Sequence, residues 1–226
     1  MKKINFLFLL ITLIIPYKAI ALIEVDITRG NLNPLPIAVS ALYTDKDTND
    51  ALKREIKIDL VGEEISTVIE NNLKATGLFN PLEKKAFLQK PDIAHLKPRF
   101  EDWSLIKAQA LITGKVELID EKVRVEFRLW DVLAGREMLA LAFTTTPNNW
   151  RRIGHIISDK IYERLTGEKG YFDTRIIFVS EEGPKTKRIK KLAIMDQDGF
   201  NTKYLTLGNE LVLTPRFNPT NQMVTY

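Results

Sequence analysis

The sequence predicts an α+β domain with a mostly antiparallel sheet and two long helices, followed by a smaller all-β region. Three observations lead there. Glu63–Ala75 and Trp150–Leu165 each repeat apolar residues every three or four positions, the spacing of one helix face. Residues 110–144, between them, hold three apolar or alternating segments joined by short polar turns, the pattern of an antiparallel meander. Beyond Gly170 the helical period disappears, and short β-rich segments separated by Gly, Pro and Asn take over.

The first residues read as an address. Lys2 and Lys3 precede the apolar run Ile4–Ile15, interrupted only by Asn5 and Thr12. Pro16 stops the run, and Ala19 and Ala21 supply small residues where signal peptidase reads. Residues 1–21 are therefore a predicted secretory signal, cleaved after Ala21. The run falls short of the roughly 20 apolar residues that a membrane span needs. Export without a single cysteine suits a bacterial periplasm, and it excludes disulfides, thiolate metal sites and cysteine nucleophiles. The formal charge of +4, from 33 basic and 29 acidic residues, falls to +1 once Lys2, Lys3 and Lys18 leave with the signal. Such a balance exerts no general pull on nucleic acid or on a membrane surface.

The mature chain begins with Leu22–Ile27, alternating Ile23, Val25 and Ile27 with Glu24 and Asp26, a short predicted strand. A breaker-rich stretch with Gly30, Asn31, Asn33, Pro34 and Pro36 follows, then a buried strand within Leu35–Tyr43 and a polar loop over Thr44–Asp50. Helix Glu63–Ala75 presents Ile65, Val68, Ile69 and Leu73 on one face and ends before Gly77. Leu78–Leu82 is expected to be a strand, residues 84–100 irregular, and Asp102–Lys107 a short helix with Trp103 and Ile106 inward. Strand Ala110–Ile119 connects tightly through Asp120 and Glu121 to the alternating strand 123–129. Met138–Thr144 is expected to be buried on both faces. Asn148 or Asn149 is the expected N-cap of the last helix, with Gly167 and Gly170 beyond its end. Two long helices thus cover one face of the sheet in a domain over residues 22–170.

After Gly170, strands are expected at Arg175–Ser180, Lys190–Met195 and Lys203–Leu207, with turns at Glu181–Pro184 and Asp196–Gly199. Residues 175–179 echo residues 222–226 at an offset of 47. That offset matches one four-stranded propeller blade, and a single blade cannot bury its own faces. Residues 171–226 are therefore expected to be a first blade and the start of a second. The chain stops inside an apolar strand, so residues 1–226 are expected to be the N-terminal part of a longer protein.

Candidate chemistry is sparse. Asp45-Lys46-Asp47-Thr48-Asn49-Asp50 spaces its acids like a calcium loop, but an EF-hand needs Gly at Asp50 and a carboxylate at Ile56, so a solvated loop is expected. Asp196, Asp198 and Gly199 suit a hairpin turn. His155 and Asp159 stand four apart and are expected to be a helix-surface pair, since no nucleophile motif accompanies them. The basic run Lys185, Lys187, Arg188, Lys190 and Lys191 lacks interleaved aromatics and reads as a solvated hairpin. No phosphate cradle occurs. Neither catalysis, a metal, a cofactor, a small-molecule substrate nor a nucleic-acid partner is expected. The terminal strand Leu22–Ile27 has two readings: a permanently docked edge strand, or a releasable strand that adds to a partner's sheet.

In order along the chain, several local patterns resemble the TolB family of periplasmic Tol–Pal proteins. They are the strand Leu22–Ile27 with Gly30 and Pro36-Ile37-Ala38-Val39, then 76–82 (Thr-Gly-Leu-Phe-Asn-Pro-Leu), Trp103 and Gly114. Leu165-Thr166-Gly167-Glu168-Lys169-Gly170, Thr174-Arg175-Ile176 and Phe217-Asn218-Pro219 follow, the last with Thr220-Asn221 where the family has an Asp-Gly turn. The resemblance implies an α/β N-terminal domain followed by a six-bladed β-propeller, here reaching only its first blade and the start of the next. It implies a non-catalytic protein that links the inner-membrane protein TolA to the outer-membrane lipoprotein Pal, and through them supports outer-membrane integrity and invagination at division. Other outer-membrane proteins are further possible partners. By the same resemblance the TolA-binding segment comprises Leu22, Ile23, Glu24, Val25, Asp26, Ile27, Thr28, Arg29, Gly30, Asn31, Leu32 and Asn33. An alternative is the N-terminal part of a secreted propeller-containing serine peptidase of the prolyl-oligopeptidase type, which would need a hydrolase domain beyond residue 226.

Overall fold

The computed structural model describes Ile23, Val25, residues 33–219 and residues 223–226. Strands β1 (Leu35–Val39) and β2 (Tyr43–Thr44) lead into helices α1 (Lys46–Ile56) and α2 (Val61–Ala75). Strand β3 (Phe79–Pro81), a 3-10 turn at Lys84–Ala86 and the short helices α3 (Pro91–Ala94) and α4 (Phe100–Leu105) follow. Next come β4 (Ala110–Ile119), β5 (Lys122–Asp131), β6 (Arg136–Thr145) and helix α5 (Trp150–Thr166). One sheet takes the order β3-β1-β4-β5-β6, with β2 alongside β4. The short pairings β1–β3, β1–β4 and β2–β4 are parallel, and the long pairings β4–β5 and β5–β6 are antiparallel. The meander is as expected. Asp120 and Glu121, both at positive φ, form the two-residue link from β4 to β5, whose twist suits a hairpin.

Several expectations need correcting. Thr44–Asp50 is not a loop, because α1 starts there. The Asp45 carboxylate accepts hydrogen bonds from the Thr48 N–H at 2.9 Å and the Thr48 hydroxyl at 2.8 Å, the work of an N-cap. The acids that look like a calcium loop are the capped first turn of a helix whose main core residue is Leu52. Residues 84–100 are more ordered than expected. Asn149 does not cap α5 through its side chain; its Nδ2 donates to Thr146 Oγ1. Strand β6 is an edge strand, largely exposed, rather than buried on both faces.

The helical covering also differs from a single layer. α1, α2 and α5 pack on the face carrying Ile37, Val39, Ile112, Val125, Phe127 and Leu129. At the β1–β4 end the opposite face, with Ala38 and Leu111, is covered by α3 and α4 through Ala94 and Trp103. Only the β4–β6 end of that second face meets water, and there Lys115, Glu117, Arg124 and Glu126 form a charge ladder. β1 is fixed to α2 by Ser66, whose hydroxyl lies 2.9 Å from Gly62 O and 3.0 Å from Ser40 O and accepts from the Leu42 N–H at 3.0 Å. A Cβ on Gly62 would lie 2.0 Å from the Leu42 carbonyl oxygen, so only glycine permits this approach.

Beyond α5 the chain forms β7 (Arg175–Glu182), β8 (Ile189–Asp196) and β9 (Lys203–Tyr204), antiparallel in that order, and a separate pair β10 (Arg216–Phe217) and β11 (Val224–Thr225). β9 is shorter than expected. The basic hairpin is solvated and internally paired: Arg188 and Lys190 reach Glu181 at 3.0 and 2.9 Å, and Lys191 reaches Glu182 at 3.4 Å. Residues 1–21, with the expected cleavage after Ala21, lie outside the described residues, as does Gln222 of the internal echo. Among the described residues no helix is long and apolar enough to cross a membrane.

Candidate functional site

Two places bear on function. The first is the N-terminal segment, of which Ile23, Val25 and Asn33 are described. Leu22, Glu24, Asp26, Ile27, Thr28, Arg29, Gly30, Asn31 and Leu32 lie outside the described residues. Ile23 and Val25 are half-buried against the main apolar cluster. The Val25 N–H donates to the Leu165 carbonyl at 2.7 Å. Leu165 stands in the last turn of α5, where carbonyls lack intrahelical partners, so this bond fills a vacancy that the helix end leaves. Gly167, at φ +76°, closes the same end with its N–H on Glu163 O at 2.9 Å.

The second is the junction between the α/β domain and the first blade. The turn after β8 lies against α2 and α5. Gln197 Nε2 donates to Asn72 Oδ1 at 3.0 Å. Asn72 Nδ2 donates to Ser158 Oγ at 3.0 Å and lies 2.9 Å from His155 Nδ1, while Ser158 gives its own proton to Gly154 O at 2.8 Å. With the Ser158 proton committed, Asn72 must be the donor, and His155 Nδ1 is an acceptor. The neutral ring then carries its proton on Nε2, which lies 3.6 Å from Asp198 Oδ2 and makes no hydrogen bond. Arg151 is hydrogen-bonded to Asp198, and the Phe200 ring lies 3.6 Å from the Arg151 guanidinium carbon. Burial, opposed by the nearby Asp198 charge, pushes the His155 imidazole below its ordinary range.

The linker between the two parts is tied to the same helix. Asp159 accepts from the backbone N–H of Phe172 at 2.6 Å and of Asp173 at 3.1 Å. Arg152 clamps Asp173 with two nitrogens, at 2.9 and 3.0 Å. A Cβ on Gly170 would sit 2.4 Å from Asp159 Cα, which explains a glycine at this crossing. The expected His155–Asp159 surface pair is therefore wrong: His155 is 2% exposed and bound to α2, and Asp159 serves the linker. The sequence signal for the junction was Asn72, a polar residue within the apolar stripe of α2.

His155, Asp196 and Asp198 bring ligand atoms within 4.8 Å of one another, a grouping that invites a cation. The chemistry argues otherwise. The Nε2 proton occupies the position of the lone pair a metal would need, Asp198 is neutralised by Arg151, and Arg152, Arg175 and Lys203 line the adjoining cavity of about 200 Å³. The group is an ion-pair network. A second cavity of about 290 Å³, between Leu42, Tyr43, Leu60 and Pro91, is mostly apolar.

Residues 23–138 match the model of the TolB amino-terminal domain, and residues 162–226 match that of the TolB beta propeller domain. The chain is 76% identical over 223 residues to the Tol-Pal system protein TolB of Pelagibacter ubique (strain HTCC1062), covering 99% of this chain and 50% of that protein. It thus spans about half the length of this curated relative. The crystal structure of TolB from Acinetobacter baumannii matches with a TM-score of 0.65 at 22% identity, over 82% of this chain and 41% of that one, a likeness of fold. With its α/β domain, its propeller start and a family match over just over half of its 226 residues, the chain belongs to the TolB family.

Proposed function

We propose that the chain is the N-terminal part of a non-catalytic, periplasmic interaction component of the Tol–Pal system. The observation that carries this reading is the 76% identity to a Tol-Pal system protein TolB along 99% of the chain. In this reading residues 1–21 are the export signal, residues 22–170 the N-terminal domain, and residues 171–226 the first part of the propeller. The segment 22–33 binds TolA, and the propeller binds Pal. The two bindings together sustain the outer membrane and its invagination at division.

The geometry at the N-terminus supports a segment that docks and leaves. Burying a Val or Ile side chain fully is worth roughly 1.5–3 kcal/mol, and Ile23 and Val25 are only half-buried. Ordering each residue costs about 1–2 kcal/mol in backbone entropy. Docking is therefore marginal at best, and a partner that binds the released segment tips it.

The test is complementation. Cells lacking their own TolB-like protein receive the full-length protein or a form without residues 22–33, and leakage of a periplasmic enzyme into the medium is measured. The reading expects full-length protein to stop the leak and the deleted form to fail. Equal rescue by both would contradict the role given to the segment.

A further inference from the structure

We propose that the junction between the α/β domain and the first blade is a latch that acid opens, with His155 as its proton acceptor. The latch is one continuous network. Gln197 holds Asn72, Asn72 holds both Ser158 and His155 Nδ1, and Asp198 holds Arg151, which packs on Phe200. Both Asn72 amide protons are committed, so Nδ1 is held as a bare acceptor. Adding a proton there sets N–H against N–H at 2.9 Å. Relief requires the Asn72 amide to turn over, which then presents Nδ2 to Gln197 Nε2 and breaks that hydrogen bond to the blade, leaving Arg151 on Asp198 and Phe200.

The charges facing His155 come from every side. Asp198 and Asp196 approach from the blade and Asp173 from the linker, while Arg151 on its own helix opposes them. Arg152, Arg175 and Lys203 line the cavity beside it, and Asn72 is the neighbour from α2. Asp173 is already clamped by Arg152, Asp196 accepts from Asn201 Nδ2 at 2.6 Å, and Asp198 is satisfied by Arg151. Each carboxylate already has a partner and offsets only part of the cost of a buried imidazolium, and the ring is 2% exposed. Burial consequently outweighs the acidic neighbours, and the closed junction favours the neutral ring. The folded value is depressed, so the closed state binds fewer protons than the open one. Its stabilisation is complete above the ordinary histidine value of about 6.5 and is lost as pH falls from there through the depressed value. For a single proton, the ratio of open to closed junction rises at most about tenfold per pH unit in that window.

The test is amide hydrogen exchange on the 226-residue chain, as protection factors for residues 197–200, at about pH 7.5 and about pH 5.5. Protection should fall several-fold at the lower pH in the wild type and stay level in His155→Gln. Level protection in the wild type, or a parallel fall in both proteins, would overturn the proposal. Should His155→Gln fail to fold, histidine NMR titration of the wild type decides, with His95→Gln separating the two rings. A His155 pKa below the ordinary value supports the latch. One above it means that the proton tightens the junction and overturns the proposal.

Discussion

Gln89 fixes the part of the domain that looks irregular in the sequence, and replacing it with leucine isolates that role. Gln89 is 3% exposed and uses both ends of its amide: Nε2 donates to Lys97 O at 2.9 Å, and Oε1 accepts from the Arg99 N–H at 2.9 Å and from Trp103 Nε1 at 3.1 Å. Leucine has a similar volume, so Gln89→Leu leaves little cavity and removes three hydrogen bonds at once. Each is worth about 0.5–1.5 kcal/mol net, and the indole N–H of Trp103, 1% exposed, is left buried without a partner. The expected loss is about 3 kcal/mol. At about 2–4 °C per kcal/mol for a chain of this size, the melting midpoint should drop by about 6–12 °C. Circular dichroism melts of the two proteins measure it, and exchange of the Trp103 indole proton should accelerate in the variant. A drop below about 2 °C would mean that the stretch from the 3-10 turn to α4 is held by packing alone, contrary to this reasoning.

Asp159→Ala removes the acceptor for two linker amides and should cost about 1–3 kcal/mol, read by urea unfolding; no change would mean that Arg152–Asp173 suffices to hold the linker. Gly62→Ala places a Cβ 2.0 Å from the Leu42 carbonyl oxygen, so α2 must retreat from β1. The expected loss is more than about 3 kcal/mol, and near-wild-type stability would contradict the close approach.

Much of the architecture could be read from periodicity, because long regular elements declare themselves. The apolar stripe of α5 at Ile153, Ile157, Ile161 and Leu165 and the alternation of β5 were visible and are buried as expected. α1 was invisible because its apolar face is little more than Leu52, and because the capping Asp45 and its neighbours read as a polar loop. β6 misled because an apolar run does not distinguish a buried strand from an edge strand; only its pairing partners do. The junction could not be seen because it joins Asn72, His155 and Gln197, distant in sequence and ordinary one by one. The resemblance in local motifs identified the family, which spacing alone could not have done.

The account rests most on the segment 22–33, of which Ile23 and Val25 dock on the main apolar cluster. Calorimetric titration of the periplasmic part of TolA into the full-length protein, and into the same protein lacking residues 22–33, tests it directly. The account predicts heat of binding with the intact protein and none with the deleted form, while circular dichroism shows both folded. Undiminished TolA binding by the deleted form would contradict it.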